Sequence, residues 1–149
     1  MQLTRAADYA VRVMIHLAGK PAGTRTSRVE LATAAECPAQ FLAKVLQNLT
    51  RAGLVVSHRG NTGGFELPET HRSASLLQVV EAIEGPIRLN VCLDADRTCN
   101  RQACCPAHPV WAEAQKGLIE VLQRSTICQL ADEAGLSHPD VVAEVELPC

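Results

Sequence analysis

Two helical segments separated by a tight break are the sequence feature that most constrains the fold. Ser27 is a typical N-cap for a short helix over residues 28–35, and Glu36-Cys37 break that helix before a longer one over residues 38–52. A short helix, a turn of three or four residues and a longer helix form the helix-turn-helix pattern. A generic helical hairpin is the alternative that these two helices alone leave open.

The two helices have a predicted buried side and a predicted exposed side. Apolar residues at helical spacing predict the buried side, which consists of Leu31, Ala34, Phe41, Leu42, Val45, Leu46 and Leu49. Four polar residues of the second helix share the exposed side, namely Gln40, Lys44, Gln47 and Arg51. Side chains of these types can contact base edges or phosphates in a major groove.

A glycine-rich turn between two short apolar runs predicts a β-hairpin directly after the second helix. Residues 54–59 form the first predicted strand, Gly60-Asn-Thr-Gly-Gly64 the turn, and residues 65–67 the returning strand. Such a hairpin is a wing, and Arg59 at its tip suits a narrow, electronegative minor groove. An ordinary hairpin with a solvated arginine is the alternative.

The rest of the chain is predicted to be helical apart from one loop. Thr4 can cap a helix that runs to residue 18, and apolar spacing predicts helices over residues 75–84, 109–124 and 127–134. The helix over residues 109–124 is long and apolar on one side. Its expected use is packing against the same helix of a second chain.

These elements predict a mainly α fold with a small β-hairpin wing, in which a winged helix-turn-helix is joined to a long dimerisation helix. We expect a winged helix-turn-helix DNA-binding domain over residues 1–72. A linker helix, a cysteine loop and the dimerisation helix follow over residues 73–134, and residues 135–149 form a flexible tail.

Charge is distributed unevenly along the chain. The net charge is −2, but residues 1–72 contain nine Lys and Arg against five Asp and Glu, whereas residues 73–149 contain five against eleven. A locally basic N-terminal part is what a nucleic-acid surface needs, although solvated protein faces are also often basic.

Residues 91–111, VCLDADRTCNRQACCPAHPVW, contain four of the seven cysteines. Thiolates suit zinc, copper(I) or an iron–sulfur cluster. Zinc sites usually use pairs of closely spaced cysteines, whereas six residues separate Cys92 from Cys99 and five separate Cys99 from Cys105. The wide spacing favours a cluster over a single ion. A disulfide framework and incidental buried cysteines are the alternatives.

The N-terminus does not resemble a signal peptide, and no apolar run approaches the length of a membrane span. We therefore expect a cytoplasmic protein with no membrane partner. Cysteines stay reduced in that compartment, so clustered ones are expected to be ligands rather than bridges.

About residues 1–134 resemble the Rrf-two family of bacterial winged-helix regulators. The matching segments are, in order, MQLTRAADYAVR, the helix-turn-helix ending in LTRAGLV, the wing SHRGNTGGF, the helix VVEAIEGP, the cysteine loop and CPAHPVW. The family includes an iron–sulfur cluster regulator, a nitric-oxide-sensitive repressor and cysteine-metabolism repressors. The resemblance implies a homodimeric transcriptional repressor, not an enzyme, bound to double-stranded DNA at a palindromic operator.

The resemblance also implies which residues form the two sites. The DNA-binding residues would be Gln40 and Lys44 in the major groove, Arg59 in the minor groove, and Gly60, Gly63 and Gly64 in the turn. The cluster ligands would be Cys92, Cys99 and Cys105. Cys105 is chosen because it directly precedes the matching segment PAHPVW, but Cys104 beside it is a possible substitute.

The fourth ligand is left open between two residues. Asp8 matches the aspartate that reaches a 4Fe–4S cluster across the dimer in nitric-oxide-sensitive repressors, and its alternative role is a salt bridge to Arg12. His108 matches the ligand of the 2Fe–2S cluster in the iron–sulfur cluster regulator, and its alternative role is a surface imidazole. The first twelve residues and the wing favour nitric-oxide sensing by a 4Fe–4S cluster.

The expected sign of regulation is repression by the cluster-bound protein and release of DNA after cluster damage. Three other functions stay open: a 2Fe–2S regulator of iron–sulfur biogenesis genes, a zinc-stabilised DNA-binding protein, and a thiol sensor without a cluster.

Overall fold

The structure is a computed structural model that describes residues 2–60, 62–94 and 99–136. Its helices and strands follow in the order α1 Arg5–Ala18, α2 Arg28–Ala34, α3 Ala39–Arg51, β1 Val56–His58, β2 Gly64–Glu66, α4 Leu76–Glu84, α5 His108–Arg124 and α6 Ile127–Glu133. Short 3₁₀ turns occupy Glu69–His71, Val91–Leu93 and Gln102–Cys104. The predicted fold class, mainly α with a small hairpin, is confirmed.

The core forms around α1. Its residues Ala10, Val13 and Met14 are fully buried, and the helix packs against α2, α3, α4 and α6. Thr4 caps the helix, because its Oγ1 accepts a hydrogen bond from the N–H of Ala7 at 3.4 Å. The buried side chains around α1 are aliphatic or small, as a chain with 3% aromatic residues requires.

The helix-turn-helix is formed by α2, a short turn and α3. Ser27 caps α2 by accepting a hydrogen bond from the N–H of Glu30 at 3.2 Å. Glu36 in the turn has φ +51°, a left-handed conformation that residues other than glycine rarely adopt. The N–H of Cys37 donates to the carbonyl of Ala32 at 2.9 Å, so the turn closes tightly before α3 begins.

The predicted buried side of this unit was wrong at two positions. Phe41 is 54% exposed, although Leu42, Val45, Leu46 and Leu49 of the same helix are buried as predicted. Phe41 lies one residue before this stripe, on the side of α3 that faces solvent. On α2, Ala34 is exposed and Ala35 occupies the core instead.

The hairpin is attached to the segment before α2. Strands β1 and β2 are antiparallel, with Val56 opposite Glu66; β1 is shorter than the predicted strand, and β2 has the predicted length but begins one residue earlier. Thr26 pairs with Phe65 through two backbone hydrogen bonds of 2.8 and 2.9 Å. A Cβ at Gly64 would lie 2.7 Å from the Thr26 carbonyl oxygen, so only glycine allows this close approach. The bridge supports a hairpin that would be poorly stable alone.

Helices α4 and α6 complete the core from the C-terminal half. Each begins with a capping box, formed by Ser75 with Gln78 and by Thr126 with Gln129. A β-bridge joins Ser75 to Thr126 and holds the two helix starts together. Buried residues of α4 and α6 share the main cluster with α1 and α3, so one core crosses the predicted boundary at residue 72. Most of the predicted tail, residues 137–149, lies outside the described residues.

Arg72 ties the end of α1 to the segment after the hairpin. Its guanidinium is 8% exposed and donates to the carbonyl oxygens of Ala18 at 2.6 Å and Lys20 at 2.9 Å. The last carbonyls of a helix lack intrahelical partners, so this side chain provides the C-terminal hydrogen bonds that α1 needs.

We expect Arg72→Met to lower the free energy of unfolding by about 2 kcal/mol, because hydrogen bonds from a charged donor contribute about 1.5–3 kcal/mol and the carbonyls would stay buried. Urea denaturation at fixed protein concentration measures this. The matched control is the exposed Arg25→Met, for which the expected change is below about 0.5 kcal/mol. Equal stabilities of the two variants would contradict the capping role.

Candidate nucleic-acid interface and cysteine loop

The solvent-facing side of α3 is polar and basic, as predicted. Gln40, Lys44, Gln47 and Arg51 are all exposed, and they recur at three- and four-residue spacing on one face. None of their side chains forms an ion pair within the described part of the chain. The face is therefore free to contact a partner.

A groove of about 510 Å³ lies between α3 and the hairpin. Residues of α2, α3, β1 and β2 line the groove, together with the residue that follows β1. The polar residues among them are Arg28, Gln47, Thr50, Arg51, Ser57 and Arg59. No acidic residue lines the groove. Sequence reasoning missed the contribution of Arg28, because it lies on the first helix of the helix-turn-helix.

The turn of the hairpin holds the predicted glycines. Gly60 has φ +101°, which favours glycine, and the N–H of Gly63 donates to the Gly60 carbonyl at 3.0 Å. A Cβ at Gly63 would lie 2.8 Å from that same oxygen. Arg59 precedes the turn and is exposed. The glycines therefore allow a compact turn that projects Arg59 beside α3.

All five acidic residues of the N-terminal half are paired with a basic side chain. Asp8 and Glu36 contact Arg12, Glu66 contacts His58, and Glu69 lies 3.9 Å from Arg72. Glu30 contacts both Lys20, at 2.7 Å, and His16, at 3.0 Å; hydrogen bonds from Lys20 and then His16 lower the pKa of that carboxyl.

This pairing leaves the positive charge in a defined place. Six Lys and Arg side chains of residues 2–60 and 62–72 form no ion pair with a described residue: Arg5, Arg25, Arg28, Lys44, Arg51 and Arg59. Three of them line the groove, and Lys44 is on the exposed face of α3. The positive charge is therefore concentrated at α3 and the hairpin.

The cysteine loop begins with one short 3₁₀ turn and contains another. Cys92, Cys99 and Cys105 are partly exposed free thiols, and Cys104 is exposed. The thiol of Cys104 donates to the Arg101 carbonyl at 3.6 Å. Reduced, accessible thiols fit iron–sulfur chemistry. Among the described residues, however, no three His, Cys, Asp or Glu side chains are gathered into a metal-binding group.

Asp8 forms the salt bridge that was its alternative role. Its carboxylate lies 2.9 Å from the Arg12 guanidinium, which also contacts Glu36 at 3.2 Å and the Ala35 carbonyl at 3.4 Å. Asp8 also borders a largely apolar hollow of about 300 Å³ between α1, α4 and α5. Sequence reasoning missed the contact of Arg12 with the helix-turn-helix turn, because Glu36 is 24 residues away in the chain.

His108 is the first residue of α5 and is partly exposed. Its backbone N–H donates to the Cys105 carbonyl at 3.2 Å, which joins the cysteine loop directly to the helix. Among the described residues His108 belongs to no group of three possible metal ligands, so its role as a ligand stays a prediction.

Comparison with known proteins identifies the family. The model of the Rrf2 (Rrf-two) family, described as an iron-dependent transcriptional regulator, matches residues 3–133. The chain belongs to the Rrf2 family. It is a transcriptional regulator and not an enzyme, and its winged helix is of the DNA-binding type. Within the described residues, no helix has both the length and the apolar character that a membrane crossing requires.

Two relatives illustrate the range of similar sequences. Rv1287 of Mycobacterium tuberculosis, named as an HTH-type transcriptional regulator, is 34% identical over 145 residues, which cover 97% of this chain and 88% of that protein. Protein aau3 of Rhizobium meliloti is 36% identical over 132 residues, which cover 87% of this chain and 84% of that protein.

Solved structures support the same fold. The global cysteine regulator CymR of B. subtilis has a TM-score of 0.71 and 26% identity, covering 89% of this chain and 98% of that chain. IscR of T. potens has a TM-score of 0.71 and 22% identity, covering 90% and 88%. At that identity, the likeness to IscR shows the fold alone.

We expect Cys37 to resist alkylation in the native protein, whereas the loop thiols react. Its side chain is 5% exposed and burial raises the pKa of the thiol, so little thiolate is present. Brief iodoacetamide treatment of metal-free protein, followed by peptide mass mapping, measures this. Labelling of Cys37 at the rate of Cys104 would contradict it.

Proposed function

We propose that the protein is a homodimeric transcriptional repressor that acts in the cytoplasm and inserts α3 into the DNA major groove. The observation that carries this proposal is the set of unpaired cations on α3 and the hairpin. In this arrangement Gln40 and Lys44 contact base edges or phosphates, and Arg59 enters the adjacent minor groove. The glycines at residues 60, 63 and 64 keep the turn slim enough for that entry.

Phe41 joins the base-reading residues of α3. It is exposed next to Gln40 near the start of the helix, where recognition helices usually contact bases. A solvent-exposed phenyl ring adds nothing to the core, but it can contact the methyl group of thymine. The operator is therefore expected to contain a thymine opposite Phe41.

Dimerisation is proposed to involve the exposed apolar face of α5. Val110, Trp111 and Val121 are exposed, whereas Leu122 is the one buried residue of this 17-residue helix. Exposed apolar residues along a long helix are suited to packing against a second copy. The two copies would place two α3 helices on a palindromic operator.

The cysteine loop is proposed to hold an iron–sulfur cluster through Cys92, Cys99 and Cys105, with Asp8 or His108 as the fourth ligand. Cys104 is the less suitable thiol, because it is more exposed than the other three and hydrogen-bonded to the Arg101 carbonyl. When bound, such a cluster supplies an iron with an oxygen or nitrogen ligand, which exchanges more readily than a thiolate-bound one.

Asp8 is the fourth ligand that we favour, and with it a 4Fe–4S cluster that senses nitric oxide. An Asp8 carboxylate engaged elsewhere could no longer pair with Arg12. Arg12 would keep its contacts with Glu36 and the Ala35 carbonyl, which lie in the helix-turn-helix turn. The bonding of Asp8 can therefore influence the position of α3. Ligation by His108 would indicate a 2Fe–2S regulator of iron–sulfur biogenesis genes and would involve the DNA-binding half less directly.

A cluster-free thiol sensor is the second candidate function. The four free thiols of the loop, one of them exposed, support it. A zinc-containing regulator is a further possibility that the same thiols allow.

The absorption spectrum and the iron and sulfide content of anaerobically purified protein test the cluster proposal. Visible iron–sulfur absorption that nitric oxide abolishes supports it. A colourless protein with stoichiometric zinc, or one with no metal and reversible disulfides, would contradict the cluster and favour the corresponding alternative.

We expect the Asp8→Ala variant to release iron faster than the unmodified protein, whereas the His108→Ala variant should release iron at the unmodified rate. Iron release to a chelator, followed by absorbance, measures both variants. Arg12→Ala is the matched control, because it removes the partner of Asp8 but no proposed ligand. Faster iron release from His108→Ala than from Asp8→Ala would reverse the assignment and favour the 2Fe–2S alternative.

We expect Phe41→Ala to weaken binding to the selected operator by about 1 kcal/mol, since burial of one methyl-sized group contributes about 0.8 kcal/mol. Replacing thymine by uracil removes the methyl group. This should weaken DNA binding by the native protein but leave the affinity of the Phe41→Ala variant unchanged. Fluorescence anisotropy measures the four affinities. An equal loss of affinity on uracil in both proteins would contradict the methyl contact.

A further inference from the structure

We infer that the groove between α3 and the hairpin is a clamp for the DNA phosphate backbone, in which Arg28 and Arg51 neutralise phosphates beside Arg59. This inference rests on the proposed DNA binding and adds two contact residues to it. It also assigns a DNA-contact role to α2, from which no contact was predicted.

The geometry of the groove suits a segment of the DNA phosphate backbone better than a base. Arg28 is the first residue of α2, Arg51 the last of α3, and Arg59 the residue after β1, so three separate elements place a guanidinium around one space. A DNA strand must pass between the major groove that receives α3 and the minor groove beside the hairpin. The groove lies between those two elements.

The other polar residues of the groove suit the same ligand. Gln47, Thr50 and Ser57 are neutral hydrogen-bonding residues of the kinds that contact phosphate and sugar oxygens. No acidic side chain lines the groove, so nothing in it would repel an anion. Planar guanidinium groups can bind phosphate oxygens with two parallel hydrogen bonds.

The three arginines of the groove have no ion-pairing or hydrogen-bonding role within the described part of the fold. Arg12 and Arg72 are tied to carbonyls and carboxylates, whereas Arg28, Arg51 and Arg59 form no hydrogen bond or ion pair through their side chains within the described residues. Three unpaired cations around one groove repel one another. A phosphate backbone would remove that repulsion and release counterions on binding.

The test is the salt dependence of binding to a random-sequence duplex of about 30 base pairs, because phosphate contacts do not depend on sequence. Full-length, anaerobically purified protein and its variants Arg28→Ala and Arg51→Ala are titrated by fluorescence anisotropy over a range of KCl concentrations. Lys116→Ala removes one charge from α5, which contributes no residue to the groove, and the side chain is 77% exposed; this variant serves as the control.

Each groove variant is expected to weaken binding at least about fivefold at low salt, from the Coulomb energy of one exposed ion pair. The slope of log affinity against log salt should fall by about 0.9 for each lost phosphate, or about 1.8 for the two copies in a dimer. Arg51→Lys keeps the charge, so it should keep the slope. Lys116→Ala should change neither quantity.

Unchanged affinity and slope in both groove variants, with the unmodified protein binding normally, would overturn the clamp and leave DNA binding by α3 standing. A loss of affinity without a change of slope would also overturn it, because no phosphate would then have been neutralised. Failure of the unmodified protein to bind any duplex would instead contradict the proposed function itself. Far-UV circular dichroism tests whether the variants, both altered at exposed residues, keep the fold of the unmodified protein.

Discussion

Burial of α1 is the constraint on which the rest of the structure depends. The helix carries small or aliphatic side chains on its inner face, and alanines such as Ala7 and Ala10 let neighbouring helices approach closely. Its two ends are fixed to distant parts of the chain. The Thr4 backbone N–H donates to Glu84 at 3.1 Å, and Arg72 binds the carbonyls at the other end. The helix-turn-helix and the C-terminal helices therefore share one support.

The outer face of the same helix connects the two proposed sites. Asp8 borders the hollow beside α5, Arg12 reaches the turn between α2 and α3, and His16 contacts Glu30 on α2. Ion pairs of Arg12 and His16 also engage three of the five acidic residues of the N-terminal half. The result is that one set of contacts both positions the helix-turn-helix and leaves the α3 and hairpin surface positively charged. Regulation and DNA affinity would then depend on the same few ion pairs.

Local sequence signals predicted the helices well, and long-range contacts were harder to predict. The predicted caps Thr4 and Ser27 each begin a helix as expected, because capping depends on neighbouring residues only. Apolar spacing placed Phe41 in the core, but a single position at the edge of a stripe can face either way. The Thr26 bridge to the hairpin and the Arg12 contact with Glu36 join residues far apart in sequence, where periodicity gives no information.

The candidate sites show the same difference between local features, which the sequence predicted, and long-range contacts, which it did not. The exposed face of α3 follows from helical geometry, so Gln40 and Lys44 were placed correctly on the surface, and the family supplied their proposed roles. Arg28 was missed because its approach to Arg51 and Arg59 requires the packed arrangement of α2 against α3. The described residues of the cysteine loop form short 3₁₀ turns and no long helix or strand, and sequence spacing alone does not determine which of its thiols converge. Its metal therefore remains part of the proposal.

We propose that the state of the cysteine loop alters DNA affinity through α1. The most direct measurement compares the affinity of one anaerobic sample for DNA selected from random sequence by this protein, before and after treatment with nitric oxide. Coupling between two sites typically changes affinity about 5- to 150-fold, so we expect nitric oxide to lower the affinity for DNA by a factor in that range. We also expect Arg12→Ala to reduce the difference between the two affinities. Equal affinities before and after complete loss of the visible absorption would contradict the claim.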